Sequence, residues 1–273
     1  GYLSNHNGYK KKIKTINTDI LKVHKKYKLI KKFKPQIIIH LAAQPIVRES
    51  FMYTKKTYET NVLGTIELFE MLKKVSTVKQ IVIFTSDKVY QNIDGKYLNE
   101  SSKIGGLDPY SASKSSQDII ANSYKESFFK TKKNVSIIRA GNIIGGGDFD
   151  FSRIIPELVL SLQNNKTLML RNPLAIRPWQ HILDVLYAIM IIISKNYNKI
   201  NSKSIIFNIG PNIKSNIRVI DLIIKIKKRF KNLNYKKIDK INFIESKVLK
   251  LSNQHLKKST MWKPVLNIND SIN

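Results

Sequence analysis

The sequence predicts an α/β protein built on a doubly wound parallel sheet, followed by a smaller C-terminal domain. Three observations lead there. Short, almost wholly apolar runs recur at "PQIIIHLAA" (35–43), "IVIF" (81–84) and "VSIIRAGNII" (135–144), and strands buried on both faces of a parallel sheet read this way. Between them lie "TNVLGTIELFEMLKKV" (60–75) and "YSASKSSQDIIANSYKESFF" (110–129), whose apolar residues fall at helical spacing. Each apolar run stops at small or polar residues. Ligands gather beyond the carboxyl ends of the strands in such sheets.

Taken in order, "IKTINTDI" (13–20) reads as a short strand, followed by a lysine-rich helix up to Phe33. The runs at 35–43, 81–84 and 135–144 supply the next three strands, with the helices at 60–75 and 110–129 as their crossovers. After "GGGDFDF" (145–151) the alternation loosens. "RIIPELVLSLQNN" (153–165) reads as a helix, "TLMLRNP" (167–173) as a strand and turn, "VLYAIMIII" (185–193) as a buried helix and "IIFNIG" (205–210) as a late strand. From about 215 onward the chain is lysine-rich and helical in flavour. No internal repeat or low-complexity linker interrupts it.

Composition excludes several functions. With 42% hydrophobic residues among 273, the chain has enough apolar mass for a real core. Cysteine is absent, which removes disulfides and thiolate metal sites and points to a reducing cytoplasm. The five histidines are scattered without ligand spacing, so no metal is expected. A net charge of +29 would suit a polyanion, yet the lysines lie in many short clusters and no nucleic-acid-binding signature accompanies them. Neither nucleic acid nor a membrane is expected as partner, since the longest apolar stretch is too short to span a bilayer.

The chemistry concentrates at two motifs. In "YSASK" Tyr110 and Lys114 stand one turn apart on one helix face. A neighbouring ammonium favours the phenolate and would bring a tyrosine down from about 10 toward the range of a general base. In "IVIFTSDKVY" a core strand ends abruptly in Thr85, Ser86, Asp87 and Lys88, two hydroxyls, an acid and a base at the rigid tip of a strand.

These residues carry a resemblance. "HLAAQ" after an apolar strand, "TN..GT" opening a helix, strand-ending "TSDK", "Y...K" and "RAGN" resemble the extended short-chain dehydrogenase/reductase superfamily. The finer text, "IIIHLAAQPIVRES", "GGLDPYSASK", "RAGNIIGGGDF" and "LRNPLAIRPWQH", is similar to the CDP-glucose 4,6-dehydratases from about residue 13 to the end. The resemblance implies a Rossmann-like fold, bound NAD and a nucleotide-sugar substrate. It implies oxidation at C4 of the hexose by hydride transfer, loss of water across C5 and C6, and return of the hydride to C6. It assigns the O4 base to Tyr110, with Lys114 lowering its pKa and holding the cofactor ribose, and Ser86 hydrogen-bonding the O4 region. Asp87 would protonate the departing C6 hydroxyl. Lys88 would stand where related dTDP-glucose dehydratases carry a glutamate, which leaves the C5 base open. Asp19, Leu41, Ala42, Ala43, Asn61 and Thr85 resemble cofactor-side positions, joined by Tyr110 and Lys114. Asn142, Arg171 and Arg177 resemble sugar-nucleotide contacts. Family members pair as homodimers through the two long helices.

Residues 1–146 are thus expected to form the NAD-binding domain and 147–273 mainly the substrate domain, with about 180–210 returning to the Rossmann core. The family opens with a strand and a glycine-rich turn for the NAD pyrophosphate, and nothing of that kind precedes residue 13. The expectation is therefore a sheet lacking its first two strands, an apolar edge exposed along 36–41, and weak NAD binding. Gly145–Gly147 reads as a turn, because no P-loop Lys-Ser/Thr follows. The competing readings are another nucleotide-sugar dehydratase or a 4-epimerase of the same superfamily, and an inactive truncated domain.

Overall fold

The computed structural model describes residues 13–91, 95–197, 206–238 and 246–272. Its centre is a four-stranded, all-parallel sheet of β1 (Ile37–His40), β2 (Gln80–Phe84), β3 (Asn134–Ala140) and a late strand, Ile206–Ile209, in that spatial order. Helices cover both faces. On one side α1 (Tyr27–Phe33), α4 (Gly64–Lys73) and α5 (Pro109–Tyr124) pack Leu68, Phe69, Leu72 and Ala121 against Ile81, Ile83, Val135 and Ile137. The short helices α2 (Val47–Met52) and α3 (Thr54–Tyr58) lead into α4. Alternate strand residues Val82, Ile138, Phe207 and Ile209 point the other way, as a period of two requires. Ile81, Ile83, Ile137 and Ile138 are fully buried, each contributing about 2 kcal/mol relative to exposure.

The second unit continues through β4 (Ile143–Ile144), α6 (Ile154–Gln163), β5 (Leu168–Leu170), β6 (Ile176–Pro178) and β7 (Gln180–His181). Next comes α7 (Ile182–Asn196), which returns to the sheet and packs Val185, Ala188, Ile189 and Ile192 on its second face. After β8, the Ile206–Ile209 strand, follow β9 (Asn216–Arg218), α8 (Val219–Arg229), β10 (Tyr235–Lys237), α9 (Gln254–Thr260) and α10 (Ile268–Ile272). A separate core of Leu158, Leu168, Leu170, Trp179, Leu222 and Ile223 holds α6, α8 and the small strands together. Leu256 and Trp262 also join the core under the sheet, although both lie far beyond the 180–210 return. Asp184 secures them by accepting the backbone N–H groups of Val265 (2.9 Å) and Leu266 (3.0 Å).

Two expectations change. Residues 13–19 are not a strand, and Ile20–Lys26 is a 3₁₀ turn. The cause is Asp19, whose side chain accepts the N–H of Leu21 at 2.9 Å and starts that turn. Ile13 and Ile16 stay exposed. The apolar run 135–144 also divides at Gly141, where a Cβ would lie 2.4 Å from the Pro178 ring. The backbone bends there to let β6 approach.

The edge along 36–41 is as expected in the structure. β1 borders the sheet, and Ile37, Ile39 and Leu41 are 38%, 45% and 61% exposed.

Candidate active site

β2 delivers its last residues to the carboxyl end of the sheet, where Thr85–Lys88 forms a tight turn. Thr85 still belongs to the sheet, donating its N–H to Ile138 O at 2.8 Å. The Ser86 hydroxyl oxygen then accepts the N–H of Lys88 at 3.1 Å and caps the 3₁₀ turn Asp87–Val89. That same hydroxyl donates to Asp87 Oδ1 at 3.1 Å. The remaining carboxylate oxygen, Oδ2, is buried with no hydrogen-bond partner. Burial raises the Asp87 pKa, against the charges of Lys88 and Arg177 and the Ser86 hydrogen bond. Such a carboxyl tends to hold its proton.

Tyr110 faces this turn from the first turn of α5. Asp108 caps the helix by accepting Ser111 N–H at 2.9 Å, and Pro109 fills the first helical position, where its missing N–H costs nothing. The Tyr110 N–H, otherwise an orphan of the first turn, donates to Ser50 Oγ at 3.1 Å. Gly106 lets the loop pass: a Cβ there would lie 2.2 Å from Ser111 Cβ. The phenol is buried and pushed up to about 12, first by that burial; the Ser86 hydroxyl works downward and the Asp87 charge upward. Arg153 also lowers it. Lys114, one turn along the same helix, makes its own hydrogen bonds to Phe84 and Gln117.

Lys114 Nζ donates to Phe84 O at 3.2 Å and to Gln117 Oε1 at 2.9 Å. Its burial brings the amine down to about 7. Beside it His40 closes β1, with Nε2 3.0 Å from Thr65 Oγ1. Its pKa falls to about 4, first through burial and then through Lys114. Asn61 ties the neighbouring loop to α5. Its amide donates to Gln44 O (3.1 Å) and Ser113 Oγ (2.9 Å), while its oxygen accepts Gln44 N–H at 2.7 Å. Asn61 lies in a π-helical turn, Glu59–Leu63, a feature frequent at functional sites.

The other expected positions differ in exposure and partners. Asp19 is exposed and spent on its own turn. Leu41 and Ala42 are exposed beyond β1, and Ala43 is half-buried. Thr85 turns its hydroxyl inward, to Ile138 O at 3.0 Å and Asp118 at 3.4 Å. Asn142 is half-buried, its carbonyl accepting Gln180 N–H at 2.9 Å. Arg171 pairs with Glu157 on the second unit. Arg177 is buried and its charge reaches Asp87.

Sequence reasoning put His40 and Gln44 at a strand end without giving them a role, and it missed Thr65, Ser113, Gln117, Asp118, Arg139 and Arg153. Only Gln117 left a readable signal, three residues after Lys114 on the same helix face. A cavity of about 430 Å³ between α6, α8 and α10 is lined by residues such as Leu158, Ile226 and Phe230. None of its lining groups is titratable, so it is no seat for this chemistry. Among the described residues no His, Asp and Glu cluster could hold a metal ion. No helix described is long and apolar enough to cross a membrane.

Residues 2–273 match the family described as GDP-mannose 4,6 dehydratase. The chain belongs to that family. It is 40% identical over 200 residues to the CDP-glucose 4,6-dehydratase of Salmonella typhimurium, covering 71% of this chain and 56% of that protein. To the dTDP-D-glucose 4,6-dehydratase of Dictyostelium discoideum it is 33% identical over 211 residues, 72% of this chain and 46% of the other. The chain thus spans about half the length of the curated relatives it matches. Among solved structures, a dTDP-glucose 4,6-dehydratase from Streptomyces venezuelae with NAD and TYD bound superposes with a TM-score of 0.85 at 22% identity, covering 99% of this chain and 80% of that one. One from Bacillus anthracis in complex with NAD gives 0.80 at 23%, covering 99% and 81%. These likenesses establish the α/β fold of GDP-mannose 4,6 dehydratase family members in this chain, including its parallel sheet.

Proposed function

We propose that this chain acts as an NAD-dependent lyase that removes water across C5 and C6 of a nucleoside diphosphate hexose, with CDP-glucose as substrate. One observation carries the reading: a buried carboxyl with an unengaged oxygen, Asp87, hydrogen-bonded to the serine that also meets the Tyr110 phenol. The 40% identity to a protein named CDP-glucose 4,6-dehydratase supports the choice of nucleotide.

The residues present suit the ribose–nicotinamide end of a dinucleotide. Lys114 has three N–H groups, two of them taken by Phe84 O and Gln117 Oε1. The exposed Leu41–Ala42 stretch beyond β1 offers an apolar shoulder. Asn61 shapes the loop, since both ends of its amide are occupied. Bound NAD would take and return the hydride, and its nicotinamide charge near Tyr110 would lower the phenol's pKa.

The chain's own groups divide the remaining work. Tyr110 accepts the proton of the C4 hydroxyl, with Ser86 holding that oxygen. Asp87, kept protonated by burial, gives its proton to the departing C6 hydroxyl, the role a raised carboxyl fits. Lys88, beside Asp87 in the same turn, is the candidate base at C5, taking the C5 proton as the C6 hydroxyl leaves. Arg177, whose charge already reaches Asp87, and Asn142 hold the sugar nucleotide; a guanidinium suits a diphosphate. Residues 1–146 would carry the cofactor and 147–273 mainly the substrate. The exposed Leu63, Ile119 and Phe128 on the helical face support pairing of two copies, and the absence of cysteine supports a cytoplasmic setting.

The test is incubation with NAD and, separately, CDP-glucose, dTDP-glucose, UDP-glucose and GDP-mannose, followed by mass analysis. A product lighter by one water, formed fastest from CDP-glucose, is the expected result. An isomer of unchanged mass would mark an epimerase and overturn the lyase reading.

A further inference from the structure

Lys114 donates to the Phe84 carbonyl and to Gln117 on its own helix. A chain of side chains that the proposed chemistry does not use runs on from Gln117 to Thr65 on α4 and His40 on β1. Gln117 Oε1 accepts from the Lys114 amine, and the other end of that amide, Nε2, donates to Thr65 Oγ1 at 2.9 Å. Thr65 spends its only hydroxyl proton on Asn61 O at 2.8 Å. Its oxygen is therefore an acceptor toward both Gln117 and His40 Nε2. Lys114, Gln117, Thr65 and His40 are all at most 3% exposed, so water does not substitute for any of these partners.

The arrangement has one consistent set of directions. A flipped Gln117 amide would set N–H groups against an ammonium at one end and a carbonyl oxygen against the accepting Thr65 oxygen at the other. We propose that Gln117 is a positioning residue for Lys114, its amide turned by Thr65 and His40 so that a carbonyl oxygen meets the amine. That oxygen supports the protonated amine in a place where burial opposes it. Together with Phe84 O it also fixes two of the three N–H directions, leaving the third for a ligand. The titratable group that feels Lys114 from across the sheet is His40, and the other partners are neutral. The link to a cofactor ribose rests on the proposed dehydratase activity; the link between Gln117 and Lys114 does not.

The test is an NMR titration of lysine Cε signals in the whole chain, with Lys114 assigned by its loss in Lys114→Met, alongside calorimetry of NAD binding. Gln117→Glu should raise the Lys114 pKa by about one unit or more, through an adjacent negative charge. Gln117→Leu and Thr65→Val should lower it and weaken NAD binding about tenfold, the loss of a buried hydrogen bond to a charged group. Thr65→Ser, which keeps the hydroxyl, should restore both. If Gln117→Leu does not fold, the Thr65 pair decides alone. A Lys114 pKa that stays at its wild-type value in folded Thr65→Val and Gln117→Glu overturns the proposal. Failure to turn over any sugar nucleotide, with the titration shifts intact, overturns the dehydratase reading and leaves this one standing.

Discussion

Arg139 grips Asp118 with two parallel hydrogen bonds, Nε to Oδ2 and Nη2 to Oδ1, each 2.7 Å, with both side chains buried. The pair joins the carboxyl end of β3 to α5 beside the Thr85–Lys88 turn. Arg139 also donates to Tyr90 OH at 3.0 Å, Tyr90 OH donates to Asn208 Oδ1 at 2.6 Å, and Asp118 meets Thr85. Removing one partner leaves a buried charge alone. Asp118→Leu or Arg139→Met should each cost about 3–5 kcal/mol in urea unfolding, and the double variant should recover much of the loss. Additive losses in the double variant would contradict this account.

Tyr110 and Asp87 should fail at different stages. Tyr110→Phe removes the proposed proton acceptor and should lower turnover by about 10²–10⁴. Asp87→Asn should slow loss of water by about 10² or more while leaving oxidation in place. Single-turnover mass analysis separates them: the first returns unchanged sugar, the second a 4-keto sugar that keeps its C6 oxygen. Identical residual species from both variants would undo the division of labour.

His40 makes stability depend on pH. Its folded pKa is about 4 against the ordinary histidine value of 6.5, so between these values the unfolded chain binds more protons. Stability therefore rises with pH across that window, and about 3 kcal/mol is lost on acidification from 6.5 to 4. Lys114, lowered from 10.5 to about 7, acts with the same sign in a higher window, stability rising further as pH climbs from about 7 toward 10.5. Urea midpoints for wild type and His40→Gln check the acid arm. The glutamine keeps an N–H for Thr65, and its profile should flatten between pH 4 and 6.5.

Gly106→Ala tests the approach to α5. The new Cβ would press on Ser111 and the Ala112 N, 2.2 and 2.6 Å away, so the loop or the helix start must move. Overpacking of this kind costs about 1–3 kcal/mol, and the displaced first turn carries Tyr110. Thermal unfolding and turnover should fall together; unchanged values for both would mean the loop yields freely.

Much of this architecture is legible in the sequence because the apolar runs at 81–84 and 135–140 are strands covered on both faces. "IVIFTSDK" and "DPYSASK" also announce their roles locally: a strand that stops at polar residues, and a capped helix with its tyrosine in the first turn. The site's supports are another matter. Asn61 meets Gln44 and Ser113, Thr65 meets His40 and Gln117, and Asp118 meets Arg139. Each link crosses between elements, so no spacing along the chain reveals it. The partners of Lys114 are hidden in the same way. Helical periodicity puts Tyr110 and Lys114 on one face, but only the Phe84 carbonyl and Gln117 show where the amine turns. "IKTINTDI" misled for a simpler reason: its alternation suits a strand, and Asp19 ends it as a helical cap.

The wide π-helical turn at Glu59–Leu63 makes chain length at this point matter more than side-chain identity. It runs one residue longer per turn than the helix that follows. Deleting a single residue there would let the ordinary ladder close, rotating all that precedes it by about 100° against α4. Asn61 would swing off the loop it clamps. Insertions and deletions should thus be tolerated on the exposed loops and rejected here, whatever residue is gained or lost.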